Sequence, residues 1–440
     1  MDFIKEKIKP MYFKYLAAAF GSALVTSIYS IVDMAMVGQY QGPEGTAALA
    51  VVAPIWNVIY SLGLLFGIGG SVLYSTLKGQ KGNDEKESNE LFTTSVIGAS
   101  LFSVLMWFIF IFFDKQLLTS FGGSGNLLTL GEDYLYPIKF VLPTFLINQM
   151  LSAFLRNDKN PTLATVAVLA GGIFNVFGDY VFIFTFDMGI FGAGLATALG
   201  STLSFGIMMT HFISKKNTLK LVKPTRVLNK LYRIMITGFS TFFIDIAMGI
   251  LTIVFNRQIM KYFGANALSI YGIIINISTF VQCCAYSVGQ AAQPIISANF
   301  GAKQGLRIKE TLKYALFTVL FFSIFWTALI MVKPMLFVDL FMTPTPEITS
   351  IAPSIMRAYG ISFILLPLNI FSTYYFQAII QPKTVFIISV GRGLVVSCLF
   401  IYLLPVILGK QSLWYAMFMT ELIVAIYTVY KMSNSTKEFK

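Results

Sequence analysis

The chain has 440 residues, 56% of them hydrophobic and 12% charged, with a mean hydropathy of +0.74. Soluble domains carry about 25% charged residues, so this composition excludes a soluble globular protein and leaves an all-α polytopic membrane protein. The formal net charge of +12 would suit nucleic acid, but no long hydrophilic domain is there to hold it, and no nucleic-acid partner is expected.

Residues 1–10 are polar and lack the short apolar region and small-residue cleavage site of a signal peptide. Twelve apolar segments follow, each long enough to cross a bilayer as a helix. Their cores lie at about 11–37, 49–77, 91–113, 133–155, 161–186, 188–214, 229–258, 267–297, 310–332, 349–379, 384–406 and 412–431. Lys and Arg gather on one side of them. That side has Lys5, Lys7, Lys9 and Lys14 before the first segment, Lys78, Lys81 and Lys86 after the second, and Arg156 and Lys159 after the fourth. The central loop region adds Lys215, Lys216, Lys220, Lys223, Arg226, Lys230 and Arg233. Lys303, Arg307, Lys309 and Lys313, then Lys383 and the tail residues Lys431, Lys437 and Lys440, complete the set. The other side has Lys115, Lys139, Arg257, Lys261, Lys333, Arg357 and Lys410, while Arg392 falls within a segment and is unassigned. The bias places the richer side, with both termini, in the cytoplasm.

The long basic loop falls near the midpoint and divides the chain into lobes 1–214 and 229–440, joined by a cytoplasmic linker 215–228. A weak repeat supports two pseudo-symmetric six-helix lobes. Ala48-Leu49 through Asn57 reads like Ala267-Leu268 through Asn276, Gly67 and Gly79 are spaced like Gly289 and Gly301, and Asn160-Pro161 matches Gln381-Pro382. Such repeats are common in secondary transporters. Gly67-Ile68-Gly69 is no nucleotide loop, since no strand precedes it and no Gly-Lys-Ser/Thr follows. No ATP-binding motif occurs, so uphill transport would draw on an ion gradient. Cys283, Cys284 and Cys398 lie in apolar segments without a Cys-x-x-Cys partner and read as core residues. His211 reads as a helix-end residue, and no zinc or iron site can be assembled.

Four acids lie inside the segments: Asp33, Asp179, Asp245 and Glu421. A carboxylate near mid-membrane costs about 2.5–3.5 kcal/mol on insertion scales, so it faces a protein interior or a wet cavity. Asn175 and Asp179 are one helical turn apart, Tyr29 is one turn before Asp33, and Thr197 stands in the next segment. These oxygens can surround a proton or a monovalent cation, with Na⁺ at Asp33, Asn175, Asp179 and Thr197 as the metal candidate. In the repeat, Asp33 aligns with Phe255 or Asn256, Asn175 with Val396 and Asp179 with Phe400, so the ion site belongs to the N-terminal lobe. Tyr29, Asn148 and Gln149, with Asp33 and Asp179, are the candidate substrate contacts. The chain's 42 Phe, 21 Tyr and 19 Met allow an adaptable lining but do not define a pocket.

Four stretches together carry a likeness to a known family. They are Ile31 to Gly38 with Ala47-Ala48-Leu49-Ala50, Leu155-Arg156-Asn157-Asp158-Lys159-Asn160-Pro161, Asn175 to Asp179 with Gly189 to Thr197, and Gln293-Pro294-Ile295-Ile296 with Asn299-Phe300-Gly301-Ala302. Over essentially its full length the chain resembles the multidrug and toxic compound extrusion (MATE) family, in a branch similar to the DinF or MepA type. The resemblance implies twelve helices in two six-helix lobes around a central cleft, and export of lipophilic, often cationic compounds in exchange for H⁺ or Na⁺. It also implies a cation site at Asp33, Asn175, Asp179 and Thr197. The acids that another branch uses in its C-terminal lobe are not evident here, and Asp245 matches one of them poorly. Some relatives bend their first helix at a proline; residues 11–37 contain none, so a bend here would need Gly21 or another hinge.

The expectation is therefore a cell-membrane multidrug antiporter working by alternating access. It is expected to be a monomer among lipids, not an enzyme, and to need no cofactor beyond the coupling ion. The alternative is a flippase for a lipid or lipid-linked saccharide, whose pyrophosphate would need cleft cations. Arg392, Lys139 and Arg357 are the candidates for that role. A non-transporting sensor or scaffold finds no appended soluble domain to support it.

Overall fold

The computed structural model describes residues 3–80, 85–121, 123–341 and 345–439, and for 26, 27, 29–31, 43, 245 and 265 it describes the backbone without the side chain. The side chains of the sequence candidates Tyr29 and Asp245 thus lie outside the described ones. Every described element is helical. Eleven described helices are long and apolar enough to cross a membrane. Residues 8–41, ahead of a break at Gly42, form the remaining long helix.

The principal helices are α1 (Ile8–Gly79, broken at Gly42), α2 (Glu85–Phe112), α3 (Asp114–Ser120), α4 (Asn126–Asn157), α5 (Pro161–Asp179), α6 (Gly189–Met209) and α7 (Val227–Tyr262). Then come α8 (Ala265–Gly301), α9 (Gly305–Val332), α10 (Pro334–Phe341), α11 (Pro346–Gly360), α12 (Leu366–Ala378), α13 (Pro382–Val390), α14 (Val396–Ile407) and α15 (Ala416–Glu438). They form two compact units. The first contains residues 17–242; the second contains residues 3–16 and 243–440. Both transitions fall inside helices: α1 passes from the second unit to the first after Leu16, and α7 passes back after Phe242.

In the first unit α6 packs against both α4 and α5. The α5–α6 approach is at backbone distance, because a Cβ on Gly171 would lie 2.6 Å from the Gly200 carbonyl and one on Gly200 2.7 Å from the Gly171 carbonyl. Small residues at such crossings are the means by which membrane helices approach closely. Residues 217–225, between α6 and α7, are non-helical and lie against this unit, with Asn89, Glu90 and Thr93 of α2 accepting the backbone N–H groups of Lys220, Thr225 and Val222 respectively.

In the second unit the start of α1 is part of the core. Phe3, Ile8, Met11, Tyr12 and Tyr15 cluster with residues of α8, α9, α12 and α13. Arg307 donates to the carbonyls of Phe3 (2.8 Å) and Glu6 (2.6 Å), Asn299 donates to Phe3 (3.0 Å), and the Tyr12 hydroxyl to Thr318 (3.1 Å).

The repeat read from sequence is visible in the backbone. Left-handed residues recur in matching places: Gly42 and Gly264, Lys159 and Ile380, Asp187 and Gly409. Lys159 and Ile380 each stand two residues before the proline that opens α5 or α13. Both helices then widen into a π turn, Tyr180–Thr185 in the first unit and Gly391–Val395 in the second.

Candidate cation site

Proline at its first position starts α5, where a missing N–H costs nothing. The helix then presents Asn175 and Asp179 on one face, and its hydrogen bonding loosens into the π turn directly after Asp179. Such π turns recur at functional sites because they re-aim side chains within a helix. On the α6 side, Asn175 Nδ2 donates to Thr197 Oγ1 at 3.0 Å. From α4, the Tyr134 hydroxyl donates to Asp33 Oδ2 at 3.4 Å.

Asp33, Asn175 and Asp179 are all buried, Asp179 completely. Asp33 Oδ1, Asn175 Oδ1 and both Asp179 oxygens have no hydrogen-bond donor among the described residues. An unpaired buried carboxylate is destabilised by several kcal/mol. A proton or a hard monovalent cation is the kind of partner that would satisfy such a group. Carboxylate, amide and hydroxyl oxygens are hard ligands, suited to these ions rather than to a thiophilic metal.

The first unit thus contains all four residues of the expected cation set, with Asn175 bonded to Thr197. Of the expected substrate contacts on α4, Asn148 has its amide nitrogen engaged and its Oδ1 without a donor among the described residues. Asn148 donates to the carbonyl of Ser201 (2.9 Å) and to its hydroxyl (3.1 Å), tying α4 to α6. Gln149 packs where a Cβ on Gly63 would fall 2.6 Å from its own Cβ. Sequence reasoning passed over Tyr134, which sits at the edge of the predicted fourth segment behind Glu132 and Asp133 and there resembles a loop boundary.

Glu421 in the second unit is a different kind of acid. It too is completely buried, but Arg392 Nε donates to its Oε1 at 2.7 Å and Asn369 Nδ2 to its Oε2 at 2.6 Å. Arg392, unassigned from sequence, stands inside the π turn that follows α13.

The MatE family profile matches the chain twice, over residues 18–181 and 241–403. The chain belongs to the MatE family. The two matched stretches correspond to the two copies of the repeat. Among curated relatives, the multidrug export protein MepA of Staphylococcus haemolyticus is 25% identical over 421 residues, covering 94% of this chain and 91% of that protein. MepA of Staphylococcus saprophyticus is 24% identical over 408 residues, covering 92% and 89%. Among solved structures, an outward-facing multidrug resistance MATE transporter of the MOP superfamily is similar at a TM-score of 0.91 and 20% identity, over 100% of this chain and 98% of that one. A MOP superfamily transporter from Pyrococcus furiosus is similar at 0.90 and 19%, over 99% and 98%. This MatE chain is a multi-pass membrane protein whose activity is transport rather than catalysis.

Proposed function

We propose that this MatE protein exports lipophilic, often cationic compounds from the cytoplasm in exchange for H⁺ or Na⁺, with Asp33, Asn175, Asp179 and Thr197 as the coupling site. The observation that carries the reading is Asp179, wholly buried in a spanning segment with no donor to either oxygen among the described residues, and a second buried acid, Asp33, in the same unit. The multidrug export named for the staphylococcal relatives supports the substrate class. External H⁺ or Na⁺ occupies the acids, Asp33 and Asp179 cease to attract the cationic substrate, and the substrate leaves. A bound ion shifts the access equilibrium only by its differential affinity for the two states, and competition of ion and substrate for the same acids supplies that difference. The termini face the cytoplasm, and one chain suffices.

The flippase reading has less support, since two of its three candidate cations are paired with acids and the third, Arg357, keeps its charge on an exposed helix end. Arg392 is paired with Glu421, Lys139 with Asp114, and Arg357 Nε donates to the Met331 carbonyl.

The test is efflux of ethidium from energised vesicles under an imposed pH or sodium gradient, comparing wild type with Asp179→Asn. Efflux driven by one gradient and lost in the variant is expected and names the ion. Undiminished gradient-driven efflux in the variant overturns the proposed site.

A further inference from the structure

The segment between α6 and α7 has two faces. Its inner face is pinned to the first unit by Asn89, Glu90 and Thr93, while Asp158 takes the N–H of Thr218 at 2.8 Å. Glu90 also binds the Thr225 hydroxyl and Lys230, and Leu219 is buried. Its outer face carries Lys215, Lys216, Lys220, Lys223, Arg226 and Arg233, all exposed and, among the described residues, none in an ion pair. Between these cations stand exposed apolar side chains: Ile213 at 87%, Leu221 at 69%, Leu228 at 81% and Tyr232 at 65%.

The depth of this strap follows from what holds it. Residues 214–226 join the ends of two spanning helices, Gly189–Ile213 and Val227–Tyr262. Asn89, Glu90 and Thr93 lie in the first turns of a third, Glu85–Phe112. Backbone bonded to those residues runs at the level where spanning helices leave the hydrocarbon, which is the headgroup layer. Charge bias alone accounts for lysines on one side of a membrane. It does not account for Leu221, 69% exposed among those cations on the clamped strap itself, with Ile213, Leu228 and Tyr232 exposed on the helix ends that flank it. Cations interleaved with apolar side chains at that depth match an anionic phospholipid, whose phosphate meets the cations and whose acyl chains meet Leu221 and Leu228.

We propose that the outer face of residues 213–233 is a binding surface for anionic phospholipid of the surrounding bilayer. The test titrates the purified full chain, in detergent micelles, with phosphatidylglycerol or with phosphatidylcholine and follows its thermal unfolding. Phosphatidylglycerol is expected to stabilise at lower concentration than phosphatidylcholine, and the difference is expected to shrink as salt is added. The variant Lys215→Gln/Lys216→Gln/Lys220→Gln/Lys223→Gln/Arg226→Gln is expected to need at least tenfold more phosphatidylglycerol for half-effect. Lys303→Gln/Lys309→Gln/Lys313→Gln, on another basic loop, is expected to leave it unchanged. Equal effects of the two lipids, a salt-insensitive difference, or equal weakening in the control variant overturns the proposal. Should the fivefold variant not fold, Lys220→Gln/Lys223→Gln and the salt titration of wild type decide in the same way.

Discussion

Asp179 and Glu421 have the same burial and opposite bonding. Glu421 has a donor for each oxygen, whereas Asp179 has none among the described residues. Opposite responses to neutralisation follow. Asp179→Asn removes an uncompensated acid, so it is expected to leave thermal unfolding in detergent at or above the wild-type temperature while gradient-driven efflux falls at least tenfold. Glu421→Gln leaves the Arg392 guanidinium buried without its counter-charge, a loss of about 3–5 kcal/mol. Its unfolding temperature is expected to drop, and adding Arg392→Met is expected to restore most of it. The lone histidine stands where its sequence reading put it and adds a network to it. His211 is at a helix end as expected, yet it is completely buried between Asn160 (3.1 Å) and Asp158 (2.8 Å). Nothing in the local sequence announces that network, because Asp158 belongs to the loop before α5.

At the scale of elements, the contact of α5 with α6 sets the spacing between Asn175 and Thr197. Gly171 and Gly200 have no room for a side chain there. Gly200→Leu is therefore expected to separate the helices, break the Asn175–Thr197 bond and lower both expression and efflux severalfold or more. Gly21 differs: a Cβ on it would meet Thr165 Cγ2 at 3.6 Å, an ordinary contact. If Gly21 serves only packing, Gly21→Ala keeps full efflux; a loss with unchanged stability would mark it as the hinge that the proline-free first helix needs. The loop end of α4 supplies a pH prediction. Burial pushes the Asp158 carboxyl up, but hydrogen bonds from His211 and Thr218 and the charge of Lys78 outweigh it and hold the group below the usual carboxylate range. A carboxyl depressed in the folded state stabilises fully above its unfolded value of about 4. That stability is lost only as pH falls below this value toward the folded one. Asp158→Asn is expected to destabilise at pH 7, by about 1–3 kcal/mol for its lost bonds, and the difference from wild type is expected to narrow below about pH 4.

At the scale of the whole molecule, the chain passes between its two units inside continuous helices, after Leu16 and after Phe242. The first turns of α1 are held within the second unit by Arg307 and Asn299 on the carbonyls of Phe3 and Glu6. Arg307→Ala is expected to raise amide hydrogen exchange across residues 3–16 by tenfold or more, with little change in α5 and α6 of the other unit. Uniformly increased exchange would mean that this segment is not separately anchored.

The amino-acid sequence by itself determined the membrane class, the approximate span positions and the repeat, since each follows from local composition and period. Twenty apolar residues have few alternatives to a helix in a bilayer, and the repeated prolines mark the same helix start twice. It also singled out Asp33, Asn175, Asp179 and Thr197, because intramembrane polar residues are rare enough to be conspicuous. Only the tertiary structure decided which buried acid is partnered. That depends on residues far apart in the chain: Arg392 and Asn369 reach Glu421, while among the described residues the Tyr134 hydroxyl reaches Asp33 at 3.4 Å and no donor reaches Asp179. It likewise decided that residues 3–16 join the second unit and that the basic linker is a clamped strap. Both rest on hydrogen bonds between segments whose own sequences specify only polar ends of apolar helices.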